Sequence, residues 1–209
     1  MIFLNYAVSQ EEAVVTNHAS NMVLAWHSDA SYLSEPGSNS REGGHFFLSN
    51  DATMQENNSA VLNIAKIIKA VMTSAAEAEI GSMFINAREA VSQRMTLVEM
   101  GHPQPRTPMQ TDNSDVHSIV TNNVQPWRTK VMDMQFHWLK CGITQGQFRY
   151  YWQPGTANLG DYWTKHHPIA HHKIIRSIVL TPMKEVIALR ERKQTWSMCH
   201  LQKLKRSLA

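Results

Sequence analysis

Cysteine, aspartate and long apolar runs are all scarce in this chain of 209 residues. Its two cysteines, Cys141 and Cys199, are too few and too far apart for a disulfide framework or a zinc knuckle. We therefore expect a reducing compartment. No apolar run approaches the roughly 20 residues that span a bilayer, so no membrane association is expected.

The overall composition is that of a globular protein with a basic end. Hydrophobic residues make up 43% of the chain and charged residues 18%, which is typical of a folded domain. The net charge of +3 is unevenly placed, because residues 184–209 carry a balance of +5 and the remainder carries −2. This basic tail suits contact with phosphates. A solvated helical tail without a partner is an equally good interpretation.

Four acidic residues lie in four short, separate sequence contexts. The chain has only six aspartates, so finding three of them in these contexts is more than chance predicts. The contexts are His27–Ser31 with Asp29, Ser74–Glu79 with Glu79, Thr111–Ser114 with Asp112, and Asn158–Lys165 with Asp161. Carboxylate oxygens are the ligands that Mg²⁺ prefers. If the fold brings them together, the four acids would form a carboxylate cage for two divalent metal ions, an arrangement used to cleave phosphodiesters.

Hydrophobic patterning in the first third of the chain predicts strands. Residues 1–21 are expected to form a short helix, or the end of an upstream element, followed by a polar linker. Alternation from Val23 predicts a first strand, the Glu35–Ser40 run predicts a turn, and Gly43–Leu48 predicts a second strand. The segment 61–71 fits either a helix or the third strand of a meander.

The remainder of the chain predicts mainly helices. Ser74 with Glu77 three residues later is typical of a capping box, so a helix is expected from there to about Gly101. The expected elements after it are a strand ending at Asp112, a short helix through Val120, a helix over 128–141, a strand over Phe148–Trp152 and a final helix from about Asn158. This order predicts an α/β fold with a mixed sheet. Each acid falls on a strand or at a helix start, where rigid backbone can hold a metal cage.

These motifs resemble the ribonuclease H domain of copia-type LTR retrotransposon polyproteins. The segments that carry the resemblance are His27-Ser28-Asp29-Ala30-Ser31-Tyr32 (Ser-Asp-Ala), Gly43–Leu48 (second strand), Ser74–Glu79 (Ser-Ser-x-Glu-Ala-Glu), Thr111-Asp112-Asn113-Ser114 (Asp-Asn), Arg128–His137 (Arg-Thr-Lys-x-(Ile/Met)-Asp) and Asn158–Lys165 (Leu-Ala-Asp-x-(Leu/Phe)-Thr-Lys). Gly160 stands where the family usually has Ala, which is expected to loosen the helix carrying Asp161 by about 1 kcal/mol.

The resemblance implies a ribonuclease H-like α/β fold, with a mixed five-stranded sheet flanked by helices, over residues 22–180. Residues 1–21 would be the remnant of an upstream reverse transcriptase region with a linker, and residues 181–209 a basic C-terminal tail. The implied activity is metal-dependent hydrolysis of the RNA strand of RNA–DNA hybrids. The implied partners are the hybrid and an upstream reverse transcriptase domain where one is present. The implied location is the cytoplasm, in retroelement particles, or the nucleus.

The resemblance also assigns the site residues. Asp29 would be shared by two Mg²⁺ ions, or Mn²⁺ in their place, with Glu79 and Asp112 on one side and Asp161 on the other. Contacts with nucleic acid are expected at five residues, namely Arg128, Lys130 and Lys165 on the phosphate backbone and Asn113 and Asn158 on the sugars. For each single basic residue, plain solvent exposure is an equally good interpretation.

Two adjacent histidine pairs, His166-His167 and His171-His172, follow the last acid. Imidazole is a ligand for Zn²⁺ and Ni²⁺. Adjacent histidines cannot easily all point at one ion, so a solvent-facing position near nucleic acid, or no role, is favoured over a metal site.

Two alternatives to an active ribonuclease H remain open. A catalytically inactive retroelement remnant would retain the fold and bind nucleic acid. A DNA-cutting integrase-type enzyme of the same general fold is less favoured, because such enzymes need a different spacing of acids and the last motif here carries Asp161 rather than glutamate.

Overall fold

The computed structural model describes residues 8, 13–121 and 130–182. Its elements, in chain order, are β1 (Ala13–Val15), β2 (Val23–Glu35), β3 (Asn39–Ser49), β4 (Ala60–Ile68), α1 (Ala75–Glu99), β5 (Thr107–Thr111), α2 (Ser114–Thr121), α3 (Lys130–Thr144), β6 (Phe148–Trp152), α4 (Ile169–Val179) and β7 (Leu180–Pro182). Among these described residues, no helix combines the length and the apolar character needed to cross a bilayer.

Five strands form one mixed sheet in the order β4-β3-β2-β5-β6. β2, β3 and β4 form an antiparallel meander, whereas β5 runs parallel to β2 and β6 runs parallel to β5. Asp29 lies opposite Gly43 of β3, and the β2–β5 pairing joins His27 to Gln110. Because β2 and β5 are parallel neighbours, Asp29 and the residue that follows β5 come to the same edge of the sheet.

The core lies between α1 and one face of this sheet. Trp26 of β2 is fully buried and stacks on Phe46 of β3, with ring centroids 5.9 Å apart. Phe148 of β6 meets the same indole edge-on at 5.4 Å. Met83 and Ala87 of α1 are buried against these rings as part of one cluster. This packing fixes α1 across β2, which carries the first acid.

The predicted start of α1 is confirmed. The Ser74 side chain accepts a hydrogen bond from the Glu77 backbone N–H at 3.2 Å, as an N-cap does. Glu77 returns a bond through Oε2, which accepts from the backbone N–H of Thr73 at 2.7 Å. The return bond reaches one residue further back than in a standard capping box. Glu79 is thereby held near the start of the helix.

The ambiguous segment 61–71 is resolved as the edge strand β4, which pairs antiparallel with β3. Its outer positions are partly apolar, since Val61 and Ile67 are exposed. Exposure on one side of an edge strand is what makes its pattern ambiguous in the sequence, because neither the strict alternation of a strand nor a single helical stripe is present.

The final helix expected from Asn158 is wrong. Residues 155–157 and 161–163 form two short 3-10 turns, and α4 begins only at Ile169, after Pro168. The Asn158 side chain donates to the Ser28 carbonyl at 2.8 Å. This bond holds the segment on β2 in place of the expected α-helix. Gly160 therefore lies outside any α-helix, and the expected loosening of a helix does not apply. A Cβ at Gly160 would lie 3.0 Å from the Asp29 backbone nitrogen.

A second, two-stranded sheet joins the two ends of the described chain. β1 pairs antiparallel with β7, with Ala13 opposite Pro182. The patterning predicted neither strand, because three residues are too few to show a period. The proposed limits of the domain at residues 22 and 180 stay a prediction, and these strands fall just outside the first limit and across the second.

Candidate active site

Asp29, Glu79 and Asp112, here called the acidic centre, converge at one edge of the main sheet. One carboxylate oxygen from each lies within 4.8 Å of the others. The three come from the middle of β2, the start of α1 and the first position after β5. Three acids separated by up to 83 residues of sequence are thus brought to one point.

Asp29 is the most enclosed of the three, with 2% of its side chain exposed. Its Oδ2 accepts a hydrogen bond from the Thr164 hydroxyl and lies 3.6 Å from the Lys165 ammonium. Its backbone carbonyl accepts from the Ser82 hydroxyl of α1 at 2.7 Å, which locks β2 to the helix. Burial raises the pKa of Asp29 above its ordinary value, although Thr164 and Lys165 oppose the shift.

Glu79 is buried, and its two oxygens have different surroundings. Oε1 accepts from the Ala30 backbone N–H at 3.2 Å. Oε2 is buried and has no hydrogen-bond partner among the described residues. Burial raises the pKa of Glu79 well above its ordinary value, and the charges of Asp29 and Asp112 raise it further. A buried, unpaired carboxylate oxygen is costly unless a cation or a proton satisfies it.

Asp112 is fixed by contacts with its backbone and by close approach of a turn. Its carbonyl accepts from the Trp152 indole N–H at 2.8 Å, so β6 holds the end of β5 in place. Gly155 passes close to the carboxylate, since a Cβ at that position would lie 2.7 Å from Asp112 Oδ2. Any side chain there would displace the acid. The Pro154-Gly155 turn is therefore part of the site.

The acidic centre fits a hard divalent cation. Its donors are oxygens only, two of its three carboxyl groups have raised pKa values, and Glu79 Oε2 is unpaired. Ligand sets of this kind suit Mg²⁺ or Mn²⁺ and not the softer metals. The acidic centre can therefore hold a metal ion.

The fourth predicted acid, Asp161, lies beside the acidic centre but not within it. It opens the second 3-10 turn, where its side chain is 20% exposed. The Lys165 ammonium lies between the two sites, because it bonds Asp161 Oδ1 and also approaches Asp29 Oδ2. Burial lowers the pKa of Lys165, but the hydrogen bond to Asp161 and the charge of Asp29 outweigh it, so that pKa is raised.

The predicted nucleic-acid residues are placed as follows. Lys165 is about half exposed at the rim of the site. Asn113 uses Oδ1 to cap α2, accepting from the Asp115 and Val116 N–H groups at 3.0 Å each. Lys130 opens α3, and Arg128 lies outside the described residues.

Asn158, predicted to contact a sugar, is instead buried. It is 4% exposed, and its amide donates to the Ser28 carbonyl and accepts from the Gly160 N–H. Both ends of this amide are used inside the protein, because they hold the 158–164 segment on β2. Asn158 therefore positions that segment, and its amide groups are not turned toward a sugar.

Sequence reasoning missed two residues that position the site. Thr164 lies within the last quoted motif, yet only the structure shows its hydroxyl on Asp29. His27 accepts from the Leu159 backbone N–H through Nδ1 at 3.1 Å. Burial, with a contribution from His45, lowers the pKa of His27 to about 3, so the neutral ring can accept this bond. A polar residue two positions before Asp29 on the same strand face was the available signal.

The histidine pairs are split by the structure. His166 and His172 are exposed. His167 and His171 instead turn toward Asp161, and one ligand atom from each of these three residues lies within 4.8 Å of the others. The expectation that four adjacent histidines cannot share one ion is compatible with this, because one member of each pair is used. Asp161, His167 and His171 are called the histidine cluster below.

No protein-family model matches this sequence, and no curated protein matches it. Among solved structures, the chain is similar to LC11-RNase H1, isolated from compost by a metagenomic approach. That likeness has a TM-score of 0.51 and 10% identity, and covers 68% of this chain and 92% of that one. The chain has a ribonuclease H-like fold. The predicted fold class is confirmed, and at 10% identity the likeness concerns the fold alone.

Two further solved structures show weaker likeness. One is LC11-RNase H1 in complex with an RNA/DNA hybrid, with a TM-score of 0.47, 11% identity and coverage of 67% of this chain and 92% of that one. The other is the prototype foamy virus protease-reverse transcriptase, with a TM-score of 0.42 and 11% identity. That match covers 73% of this chain and 22% of the viral protein.

Proposed function

We propose that this chain is a ribonuclease H-type endonuclease that hydrolyses the RNA strand of RNA–DNA hybrids with two divalent ions, Mg²⁺ or Mn²⁺. The observation that carries the proposal is the acidic centre itself. Three acids from distant parts of the chain meet at the edge of a ribonuclease H-like sheet, and Glu79 Oε2 is buried there without a partner among the described residues. Such ions, when bound, would activate the attacking water and stabilise the leaving 3′ oxygen.

The other acidic residues of the proposed site lie on two sides of Asp29. Glu79 and Asp112 face it on one side. Asp161 lies on the other side and is linked to it through Lys165. The Thr164 hydroxyl fixes the Asp29 carboxylate, so its free oxygen keeps one orientation. This arrangement supports the assignment of Asp29 as the ligand shared by both ions.

Recognition of the hybrid would rest on phosphates and on the 2′-hydroxyls of the RNA strand. Lys165 is the best placed cation, because it is half exposed at the rim of the acidic centre. Arg128, Lys130 and the basic tail over 184–209 are further proposed contacts with the backbone. Asn113 caps a helix with its oxygen, which leaves its amide nitrogen as the proposed group for a sugar.

We further propose that the domain derives from a copia-type retrotransposon polyprotein, in which a reverse transcriptase would precede it. The support is the sequence resemblance, which rests on six motifs in a fixed order. The cytoplasm, with retroelement particles as a site, follows from that origin, with the nucleus as the alternative.

The test is a cleavage assay on the full chain with an end-labelled RNA strand in an RNA–DNA hybrid, with Mg²⁺ or with a chelator. We expect endonucleolytic cutting of the RNA only with metal. Asp29→Asn should abolish it, whereas Asp51→Asn, at an exposed aspartate outside the site, should cut like the wild type. Double-stranded DNA and double-stranded RNA are assayed in parallel. Preferential cutting of double-stranded DNA would favour an integrase-type enzyme instead.

A specific observation favours a second candidate, the inactive remnant that binds nucleic acid. The Lys165 ammonium lies between Asp29 and Asp161, where a cation shared by these two acids would be expected. Absence of metal-dependent cutting, together with retained binding of the hybrid, would establish this reading and refute the nuclease.

A further inference from the structure

The histidine cluster brings together the side chains of Asp161, His167 and His171. His167 immediately precedes Pro168, and His171 lies in the first turn of α4. Their rings stack with centroids 4.2 Å apart and planes 23° apart. His167 Nε2 lies 3.7 Å from Asp161 Oδ2 and 3.1 Å from the Asp161 backbone carbonyl oxygen, a hydrogen bond that a metal ion on this nitrogen would replace. One ligand atom from each of the three residues lies within 4.8 Å of the others.

The backbone and one aromatic ring hold this arrangement. The His171 N–H donates to the Pro168 carbonyl at 2.9 Å, which starts α4. Tyr162 stacks on the His167 ring at 5.6 Å with planes 8° apart, and the Tyr162 hydroxyl shares a hydrogen bond with His172 Nδ1 at 3.0 Å. His167 is also largely enclosed, with 9% of its side chain exposed. The two ligand rings therefore have little freedom to lose when a metal binds.

Two imidazoles and one carboxylate form a ligand set for a transition metal and not for Mg²⁺. Zn²⁺ takes nitrogen and oxygen ligands at about 2.0–2.2 Å, and three protein ligands leave a fourth position for water. Ligands around a tetrahedral ion are then about 3.4 Å apart. The donors of the histidine cluster lie within 4.8 Å of one another. Small side-chain rotations that move each donor atom by roughly 1 Å would bring them to the tetrahedral spacing.

The two oxygens of Asp161 face different partners. Oδ1 bonds Lys165, which leads to Asp29 and the acidic centre. Oδ2 faces His167. Asp161 therefore links the acidic centre to the histidine cluster. A metal ion on Oδ2 would pull the carboxylate away from the contact that Oδ1 makes with Lys165 beside Asp29.

We propose that Asp161, His167 and His171 form a Zn²⁺-class transition-metal site that shares the Asp161 carboxylate with the acidic centre. The site overlaps the proposed Mg²⁺ site at Asp161 alone, and its two other donors are imidazole nitrogens. Its binding of metal stands on the geometry of these three residues. Only the consequence for catalysis, namely that bound Zn²⁺ withdraws Asp161, rests on the function proposed above.

The binding test uses the full chain and two probes. Zn²⁺ affinity is measured by competition with a chromophoric chelator, and Co²⁺ is added separately to record its visible absorption, which reports nitrogen and oxygen ligands. Excess Mg²⁺ is kept present throughout to saturate oxygen-only sites. We expect one tight equivalent in the wild type and at least about tenfold weaker binding in His171→Gln, because a direct ligand is lost.

A neighbouring histidine provides the matched control. His166→Gln removes an exposed histidine that does not belong to the cluster and should leave the affinity within about threefold. Equal weakening in His166→Gln and His171→Gln would overturn the proposal in favour of a diffuse histidine-rich surface. Absence of tight uptake by the wild type, or unchanged affinity in a folded His171→Gln protein, would also overturn it.

A second measurement addresses the shared carboxylate. Zn²⁺ is titrated into the Mg²⁺-supported cleavage reaction, and each variant is compared with its own rate without Zn²⁺. We expect inhibition of the wild type at the Zn²⁺ concentration that fills the site, and about tenfold more Zn²⁺ to be needed for His171→Gln. Tight, His171-dependent binding without inhibition would overturn the sharing of Asp161. A complete lack of cleavage would refute the proposed nuclease, while the binding test would still decide the metal site.

Discussion

The acidic centre and the histidine cluster are neighbours, linked by Lys165 between Asp29 and Asp161, and they differ in ligand type, burial and supporting structure. The acidic centre is built on β2, α1 and the end of β5, and it contains only oxygen donors. The histidine cluster is built on a 3-10 turn and the first turn of α4, and it contains two imidazoles. Asp29 is 2% exposed in the first, whereas Asp161 is 20% exposed in the second.

The difference shows how one edge of a fold can present two kinds of cation chemistry. Regular strands and a helix enclose carboxylates at a cost in stability, because a buried charge without a partner is unfavourable. An irregular turn brings two imidazoles together at less such cost, because an imidazole can be enclosed without a charge. The acidic centre should therefore depend on a hard cation for both activity and stability. The two imidazoles of the histidine cluster, His167 and His171, should affect neither until a softer metal is supplied.

After Asp29, the largest expected effect on the cleavage rate is at Asp112. This variant tests directly whether the acidic centre, and not the histidine cluster, is the reaction site. Asp112→Asn removes a carboxylate from the acidic centre and should lower Mg²⁺-supported cleavage of the hybrid by more than about 100-fold, beyond what loss of an outer partner costs. The matched control is Asp115→Asn, an exposed acid in the first turn of α2. Initial rates of the two variants are compared at saturating Mg²⁺. Near-normal cleavage by Asp112→Asn would mean that the acidic centre is not the reaction site.

The next effect concerns the hydroxyl that fixes Asp29. Thr164→Val keeps the shape of the side chain but removes the hydrogen bond to Asp29 Oδ2. We expect cleavage to fall by about 10- to 100-fold, as for outer partners of metal ligands, with a higher Mg²⁺ requirement. Thr164→Ser, which keeps a hydroxyl, should recover most of the activity. Equal loss in both variants would point to packing and not to this bond.

The start of α1 and most strands of the main sheet could be predicted from the sequence because their signals are local, whereas the segment 61–71, which contains most of β4, stayed ambiguous. Ser74 and Glu77 mark the start of α1 within four residues, and alternation from Val23 marks β2. The 158–168 stretch could not be predicted, since its shape depends on bonds to β2 that cross 130 residues, such as Asn158 to the Ser28 carbonyl. Apolar periodicity carries no information about such bonds.

The candidate site was predictable to a similar degree. Residue types and motifs identified the acids, and the parallel pairing of β2 with β5 explains why Asp29 and Asp112 meet. The position of Lys165 between Asp29 and Asp161 was not predictable, because it follows from the 3-10 turn that replaced the expected helix. The selection of His167 and His171, one from each pair, depends on the same turn and on Pro168.

A smaller effect separates the two sites through stability. The pKa of Glu79 is raised in the folded state, so the folded protein binds more protons than the unfolded one above about pH 4.5, the ordinary glutamate value. Stability of the metal-free protein should therefore fall as pH rises through the raised pKa. Glu79→Gln should increase the free energy of unfolding by about 1–2 kcal/mol at neutral pH.

Denaturant unfolding at several pH values, with and without Mg²⁺, measures this effect. Wild-type protein should gain about 2.7 kcal/mol at a Mg²⁺ concentration 100 times the dissociation constant, because only the folded state binds the ion. Glu79→Gln should lose most of that gain. A variant that is less stable than the wild type without metal would show that Glu79 is not a destabilising charge.

The smallest effect on metal binding is expected at Glu42, a buried carboxylate of β3 that belongs to neither site. Its Oε2 has no partner among the described residues, and burial raises its pKa to about 7, with Lys66 opposing and Glu89 adding to the shift. Its ionisation should therefore reduce stability as pH rises from about 4.5 towards 7. Glu42→Gln should flatten the pH dependence of unfolding over that range and leave the stabilisation by Mg²⁺ unchanged. A reduced Mg²⁺ effect in this variant would mean that any buried carboxylate of the sheet supports metal binding, and the distinction between the acidic centre and its surroundings would be lost.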